Sequence, residues 1–166
     1  RRSCSPGTAS ASSREPNRSG GGKGLEAACG FTQSMLVGSP MMKEFKVFVA
    51  DKAGELARVT EALANSAVNI RAIASESKHD TSFLRVVTND VSTTEKALSN
   101  AGLKFELSDI LEVELIDRPG ELAKGARRLS RAGINVHSIY ILGSKNGRTE
   151  VALVVSDLEK AKATLK

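Results

Sequence analysis

The sequence predicts an α+β fold made of two βαββαβ units with antiparallel sheets. Two observations carry this prediction. Residues 45–73 align without gaps to residues 111–139, at an offset of 66, and after one inserted residue 82–90 matches 149–157. Each copy also switches between strand-like and helix-like apolar spacing in the same order. Because the repeat is too long for a solenoid unit, it indicates a duplicated small domain.

Apolar spacing justifies each element of the first copy in turn. Phe45 and Val47 alternate with polar residues, as in a strand with one buried face. Leu56, Val59 and Leu63 then recur at helical spacing. A strand, a helix, two strands, a helix and a strand are predicted, in that order, over 43–51, 54–66, 68–77, 82–89, 92–101 and 104–107.

Turn and cap residues mark the ends of several elements. Ser92 or Thr93 is the expected N-cap of the second helix, and Gly102 is its expected stop. Asn146-Gly147 is typical of a two-residue hairpin, in which both central residues need positive φ. With two helices covering one face of each antiparallel sheet, this order is the ferredoxin-like arrangement.

The second copy repeats the order but has no fourth strand before the chain stops at Lys166. Its first strand should therefore keep an unpaired side unless strand 104–107 or another chain covers it. We favour a second chain, which predicts a homo-oligomer. The elements predicted for this copy are 111–117, 119–132, 134–143, 148–155 and 157–165.

Residues 1–40 are predicted to be a disordered tail or a segment foreign to the protein. They hold seven of the 14 glycines and three of the four prolines, and they have too few large apolar side chains to offset the entropy cost of ordering. A vector-derived or over-extended start, a genuine flexible tail and an organelle transit segment all fit this composition. Deleting this segment is expected to leave stability unchanged. The predicted domains are 41–109 and 110–166, the second being short at its C-terminal end.

Charge and cysteine usage argue against several function classes. The net charge is 24 − 19 = +5, but residues 1–40 contribute +3 of it, so the folded part gives little support for a nucleic-acid face. Both cysteines precede residue 41, and His79 and His137 lie in non-equivalent places, so no metal site is expected. No apolar run reaches the roughly 18 residues of a membrane span.

A loop with the same pattern follows the first strand of each copy. It reads Asp-Lys-Ala-Gly-Glu-Leu at 51–56 and Asp-Arg-Pro-Gly-Glu-Leu at 117–122. The glycine permits close approach to the backbone, and the free amides of the following helical turn favour a carboxylate. The aspartate could meet an ammonium group, so a free α-amino acid would suit the loop. Alternatively, Asp caps the helix, Gly makes the turn and nothing binds.

These loops, the sequences Val-Asn-Ile and Ile-Asn-Val before each second strand, and the βαββαβ order resemble the ACT domain. This domain is a small-molecule regulatory module of amino-acid metabolism, and the tandem over 43–166 is similar to stand-alone double-ACT proteins. The resemblance implies that the two units pair side by side, edge strand to edge strand, and bind amino acids at the seam. The implied ligand contacts are Asp51, Ala53, Gly54 and Asn69 in the first copy and Asp117, Pro119, Gly120 and Asn135 in the second.

The sequence departs from the family pattern in three places. Ala53 stands where the family usually has Pro, and Glu55 and Glu121 stand where effector-binding members often have an apolar residue. Those two glutamates would repel a ligand carboxylate. Asn69 and Asn135 could also simply take the turn conformation that Asn tolerates.

A stripe of basic residues recurs at helical spacing on the first helix of the second copy: Lys124, Arg127, Arg128 and Arg131. A solvated helix face explains it, and a phosphate or nucleic-acid contact is the alternative. The low aromatic content, with no Trp and one Tyr, leaves few platforms for stacking bases. Nucleic acid is therefore not the expected partner.

We expect a regulatory or sensor protein that binds a free amino acid or similar small molecule, without catalytic residues and without a cofactor. No nucleophile elbow or triad signature is present in the sequence. The alternative is a structural module that only mediates self-association or docking to a regulated enzyme. A nucleic-acid binder is a third hypothesis, and no membrane partner is expected. With no sign of secretion, the cytoplasm is the expected location.

Overall fold

The computed structural model describes residues 36–37, 42–78 and 81–166, all within the unit Gln33–Lys166. The predicted fold class is confirmed, since these residues form two antiparallel sheets and four helices in the order of two βαββαβ-like units. In chain order the elements are β1 (Leu36–Val37), β2 (Lys43–Val49), α1 (Glu55–Asn65), β3 (Ile70–Lys78), β4 (Thr81–Thr88), α2 (Val91–Asn100), β5 (Lys104–Asp109), β6 (Leu111–Ile116), α3 (Glu121–Arg131), β7 (Val136–Lys145), β8 (Arg148–Val155) and α4 (Leu158–Leu165).

The helix that follows the first strand of each unit buries one narrow stripe against its sheet. In α1 the stripe is Glu55, Val59 and Leu63, at a spacing of four residues. Leu56, which the sequence placed in the buried stripe, is instead 54% exposed. Residues four apart share one helix face, so the buried line runs through the glutamate rather than the leucine. The equivalent buried residues of α3 are Glu121, Gly125 and Leu129.

Aspartates cap the other two helices. The Thr93 backbone N–H donates to Asp90 Oδ1 at 3.1 Å, and the Lys160 backbone N–H donates to Asp157 Oδ1 at 2.9 Å. The prediction of Ser92 or Thr93 as the cap of α2 was wrong, because this helix already begins at Val91. The predicted hairpin is confirmed, since Asn146 and Gly147 have φ of 53° and 70°.

The strand that completes the second sheet comes from before the first unit. The sheet orders are β3-β4-β2-β5 and β1-β6-β8-β7. In β1, Leu36 lies opposite Glu114 and Val37 opposite Val113, the place that β5 takes beside β2 in the first sheet. The homo-oligomer was predicted from an unpaired edge of β6, and residues 36–37 of the same chain occupy part of that edge. A two-residue strand is too short to show an apolar period, so the residue pattern does not predict it. Deleting 1–40 would remove β1 and leave β6 unpaired on that side, so the structure does not support the expectation that this deletion leaves stability unchanged. The other residues of 1–40 lie outside the described ones, and their predicted disorder stays a prediction.

The two sheets pack on each other through the faces that turn away from the helices. The resulting layers are helix, sheet, sheet and helix, and each sheet has its own apolar core beneath its helices. The expectation that the units pair edge strand to edge strand is therefore wrong, since β3 and β7 are terminal strands of two separate sheets. The buried apolar residues between the sheets are Met42, Val87, Ile110, Tyr140, Ala152 and Val154.

One buried carboxylate bridges the two sheets. Glu44 is 1% exposed, and its Oε1 accepts from Arg85 Nη1 at 2.8 Å. Its Oε2 accepts from the Ser138 and Tyr140 hydroxyls, each at 2.5 Å. Burial, and then the hydrogen bond to Glu44, raises the pKa of Tyr140 well above its usual value, so the phenol stays a donor. Both carboxylate oxygens are satisfied, as a buried charge requires.

A pH-dependent effect is expected at Glu112 on β6. Burial, followed by the nearby Glu150 carboxylate, raises the pKa of Glu112. Because the folded pKa exceeds the unfolded one, the ionised side chain costs stability once the pH rises through these values. Glu112→Gln should therefore raise the free energy of unfolding at pH 7 by about 0.3 kcal/mol, as for other partly exposed charges, and leave it unchanged at pH 3.

Urea denaturation of the Glu112→Gln variant and the parent at both pH values measures this effect. Glu61→Gln, at an exposed position of α1, is the matched control and should change little at either pH. An equal gain at pH 3 and pH 7 would show that the effect does not come from the charge.

Candidate functional site

All eight residues proposed as ligand contacts are exposed, and they fall into four groups. Loops 51–54 and 117–120 lead into α1 and α3, whereas Asn69 and Asn135 follow the same helices. Each of these helices has 11 residues, so the loop and the asparagine of one unit lie at opposite ends of a helix roughly 16 Å long. The structure therefore does not bring the loop and the asparagine of one unit together.

Each loop ends at a glycine with positive φ. Gly54 has φ of 99° and Gly120 of 92°, and neither helix has a side-chain cap hydrogen bond. The aspartates of the loops therefore do not cap these helices, so the alternative hypothesis that Asp51 and Asp117 serve as helix caps is wrong. No heavy atom lies within 4 Å of the position that a Cβ would take at either glycine. The space above both loops is open.

The aspartates themselves make different contacts. The Ser77 hydroxyl, near the end of β3, donates to Asp51 Oδ2 at 2.8 Å. The Asp117 backbone N–H donates to the Gly147 carbonyl at 2.8 Å. The first loop is thus tied to the terminal strand of its sheet, and the second to the hairpin of its own unit.

The glutamates of the first helical turn are buried and paired. Glu121 Oε1 accepts from Lys124 Nζ at 2.8 Å and from Arg118 Nε at 2.5 Å. These two bases, Lys124 first, hold the pKa of Glu121 below its usual value. Glu55 lies 3.5 Å from both Lys52 Nζ and Arg58 Nη1. The expected repulsion of a ligand carboxylate is therefore weakened by paired bases.

A repeated spacing in the sequence could have revealed this pairing. In both copies a base stands three residues before the glutamate and another stands three residues after it. Residues three apart are neighbours on a helix surface, so the second base was placed to reach the carboxylate. The pairs are Lys52 with Arg118 and Arg58 with Lys124, at equivalent positions of the repeat.

Two open clefts adjoin the candidate residues. One, of about 360 Å³, lies beside the first loop and is lined by Lys52, Glu55 and Arg58 among others. The other, of about 440 Å³, lies at the C-terminal end of α3 and includes Asn135 and Ser130. The cleft beside loop 51–54 in the first unit and the cleft that includes Asn135 in the second unit are thus open to solvent.

Large apolar side chains are exposed beside both terminal strands. Ile73 on β3 is 42% exposed, and Ile139 and Ile141 on β7 are 45% and 67% exposed. Leu56 and Leu122, in the first turns of α1 and α3, are 54% and 43% exposed. Ile73 and Ile139 are equivalent in the repeat, as are the two leucines. Such grouped exposure is typical of an interaction surface.

The basic stripe of α3 is partly engaged within the chain. Arg128 donates to the carbonyls of Leu165 and Lys166 at 3.4 and 3.0 Å, and Lys124 pairs with Glu121. Two of the four bases thus have structural roles, which favours a helix face with local contacts over a nucleic-acid surface.

Within the described ranges, 36–37, 42–78 and 81–166, no group of three or more His, Cys, Asp or Glu residues could hold a metal ion. No helix in the same ranges has the length and apolar character needed to cross a membrane.

Comparisons with known proteins agree with this architecture. A family model described as an ACT domain pair matches residues 41–163. A Bacteroides thetaiotaomicron protein of known crystal structure is 28% identical, with a TM-score of 0.68 over 76% of this chain and 88% of that one. No match was found among curated protein sequences.

Two further solved structures share the fold at lower identity. The ligand-free regulatory subunit of aspartate kinase from Thermus thermophilus is 20% identical, with a TM-score of 0.59 over 79% of this chain and 91% of that one. A putative C-terminal regulatory domain of aspartate kinase from Porphyromonas gingivalis is 14% identical, with a TM-score of 0.56 over 80% and 93%.

Proposed function

Because the chain belongs to the family of ACT domain pairs, we propose that it is a regulatory protein that binds a free amino acid or a similar small molecule. It has no catalytic activity of its own in this proposal. The observation that supports it best is the pair of loops 51–54 and 117–120. Each presents an uncapped helix N-terminus beneath open space at a glycine of positive φ.

The chemistry of these loops suits an α-amino acid. Backbone amides at a helix N-terminus favour a carboxylate, and the absence of a Cβ at Gly54 or Gly120 lets it approach. Asp51 or Asp117, at the end of the preceding strand, offers a carboxylate to the ammonium group. Ser77 orients the Asp51 carboxylate through the 2.8 Å hydrogen bond.

A second copy of the chain completes the site in this proposal. Within one unit the loop and the asparagine are a helix length apart. A two-fold axis can place the corresponding helix of a second copy in the opposite direction, so that its asparagine end lies beside the loop end of the first copy. Loop 51–54 of one copy would then lie near Asn69 or Asn135 of the other. The two units of one chain pack face to face, so they do not provide this arrangement. The exposed side chains of Ile73 on β3 and Ile141 on β7 supply the apolar contact for a second copy.

A regulated enzyme is the proposed downstream partner. The solved structures of similar fold include the regulatory subunit and a putative regulatory domain of aspartate kinases. We place this chain in the same kind of role, as a module that reports an amino-acid level to an enzyme. The cytoplasmic location stays a prediction.

The second candidate is a structural module that associates without a ligand. It is favoured by Ala53, where the family usually has Pro, and by the acidic residue in the first turn of each helix. Under this hypothesis the exposed isoleucines still form an interface, but the loops stay empty.

A thermal-shift screen of the full chain against the twenty amino acids separates the two. We expect one or a few amino acids to raise Tm with concentration, as ligand linkage requires, and titration calorimetry to give the affinity. Gly54→Val and Gly120→Val should each lose binding at the altered loop, because a bulky side chain blocks approach and strains a positive φ. Intact affinity in both variants would refute the site.

The interface is tested by a matched pair of exposed apolar positions. Ile73 is 42% and Leu107 40% exposed, but Ile73 lies on a terminal strand at one edge and Leu107 on β5 at the other edge of the same sheet. Light scattering should show that Ile73→Lys dissociates the oligomer and that Leu107→Lys does not. An oligomer without any thermal shift would support the structural module, and a monomer without any shift would reject both.

A further inference from the structure

The second unit contains an apolar cavity. Its volume is about 220 Å³, and it lies between α3 and the sheet formed by β6, β8 and β7. Leu122, Gly125 and Leu129 form its helix side, and Ile139 and Leu153 belong to its sheet side. Every residue that lines it is apolar, so it offers water no hydrogen-bond partner from a side chain.

The repeat identifies the residue that opens this space. At the offset of 66, Gly125 is the counterpart of Val59, which is fully buried in the first core. The surrounding positions are conserved between the copies: Leu56 with Leu122, Leu63 with Leu129 and Ile73 with Ile139. The first unit therefore holds an isopropyl group at the place where the second has only a hydrogen atom.

The backbone gives no reason for this glycine. Gly125 lies in the interior of α3, which spans Glu121–Arg131, and it is buried. A glycine in a helix interior weakens the helix relative to any residue with a Cβ that fits. A side chain of the size of valine is accommodated at the equivalent place in α1. The opening at Gly125 is thus unfavourable for both helix stability and core packing.

The cavity can be reached from solvent. Leu122 and Ile139, on opposite sides of it, are 43% and 45% exposed, so its mouth lies between the first turn of α3 and the terminal strand β7. An engineered apolar cavity of about 150 Å³ holds benzene. The cavity described here is in the same size class and has an entrance.

We propose that the second unit binds an uncharged apolar group, either a single aromatic ring or a branched hydrocarbon of about six to ten heavy atoms. The group enters between Leu122 and Ile139 and occupies the volume that Val59 fills in the first unit. The inference is independent of the amino-acid site at the loops, because this cavity has no partner for a carboxylate or an ammonium group.

Methyl NMR of the full chain, titrated with toluene, tests the proposal. Toluene should shift the methyl signals of Leu122, Leu129 and Ile139 saturably, and leave those of Leu56 and Leu63 in the first unit unchanged. Benzoate, which has the same ring but carries a charge, should not bind. Gly125→Val should weaken toluene binding at least ~10-fold, provided that its spectrum shows a folded chain.

The reciprocal variant keeps the proposal falsifiable if Gly125→Val does not fold. Val59→Gly should create a second toluene site, with new saturable shifts at Leu56 and Leu63. Three results would overturn the proposal: no binding by the parent chain up to the solubility limit of toluene, equal binding by Gly125→Val, or equal shifts in both units of the parent.

Discussion

Replacing Glu44 with alanine should lower the free energy of unfolding by about 3–5 kcal/mol, the range for breaking a buried charged pair. The change removes the 2.8 Å partner of the Arg85 guanidinium, whose side chain is 21% exposed, and leaves it the Glu76 carboxylate at 3.7 Å. It also leaves the hydroxyls of Ser138 and Tyr140 without the acceptor that both now use. Two of these three donors belong to the second unit, so the lost hydrogen bonds are mainly those that join the two sheets.

Urea denaturation of the Glu44→Ala chain measures the effect, and a surface pair provides the control. Lys46 Nζ and Glu106 Oε2 lie 3.3 Å apart, and the Glu106 side chain is 63% exposed. Glu106→Ala should therefore cost no more than about 0.5 kcal/mol. A double-mutant cycle with Tyr140→Phe should show a coupling of about 1 kcal/mol or more. A cost below 1 kcal/mol for Glu44→Ala would mean that the carboxylate does not hold the sheets together.

Val59→Gly should cost about 3 kcal/mol of unfolding free energy. Val59 is fully buried in the core, with 0% of its surface accessible to water. Three carbon atoms are lost at about 0.8 kcal/mol each, glycine lowers helix propensity, and a cavity remains beside Leu63.

The repeat offers the opposite change as a control. Gly125→Ala should stabilise the chain by about 0.5–1 kcal/mol, because alanine is a better helix former and the cavity beside Gly125 has room for a methyl group. Thermal or urea unfolding of both variants gives the comparison. If Val59→Gly left the free energy of unfolding unchanged, the core of the first unit would not depend on the Val59 side chain. The difference between Val59 and Gly125 would then not distinguish the packing of the two cores.

The fold was predictable because the signals for it are local and duplicated. Alternation at Phe45 and Val47, helical spacing at Val59 and Leu63, and the offset of 66 between the copies needed no knowledge of distant contacts. The alternating pattern predicts only one buried face for each strand, so it does not predict that the two sheets pack on each other. The consecutive apolar residues Val151–Val154 on β8, buried on both faces, were the available sign.

The candidate site was predictable only in part. The loops 51–54 and 117–120 have the expected glycine conformation, but the role of the residues there depends on what lies opposite them. The family resemblance marks both Asn69 and the first loop as ligand contacts, and the length of α1 separates the two within one unit. The pairing of Glu55 and Glu121 with flanking bases corresponds to a three-residue spacing that is visible in the sequence.

The origin of β1 gives the chain an interlaced connectivity. Leu36 and Glu114 are opposite each other in the second sheet although they are 114 − 36 = 78 positions apart. The entire first unit is therefore inserted between two adjacent strands of the second. Closing so long a segment carries an entropy cost that hairpin pairing avoids, and it raises the contact order that slows folding. A chain that starts at Met41 would form the second sheet from contiguous residues alone, with the backbone of β6 open to another strand. A rearranged chain with residues 36–37 placed after Leu165 would make every pairing of that sheet local and leave the second unit undivided.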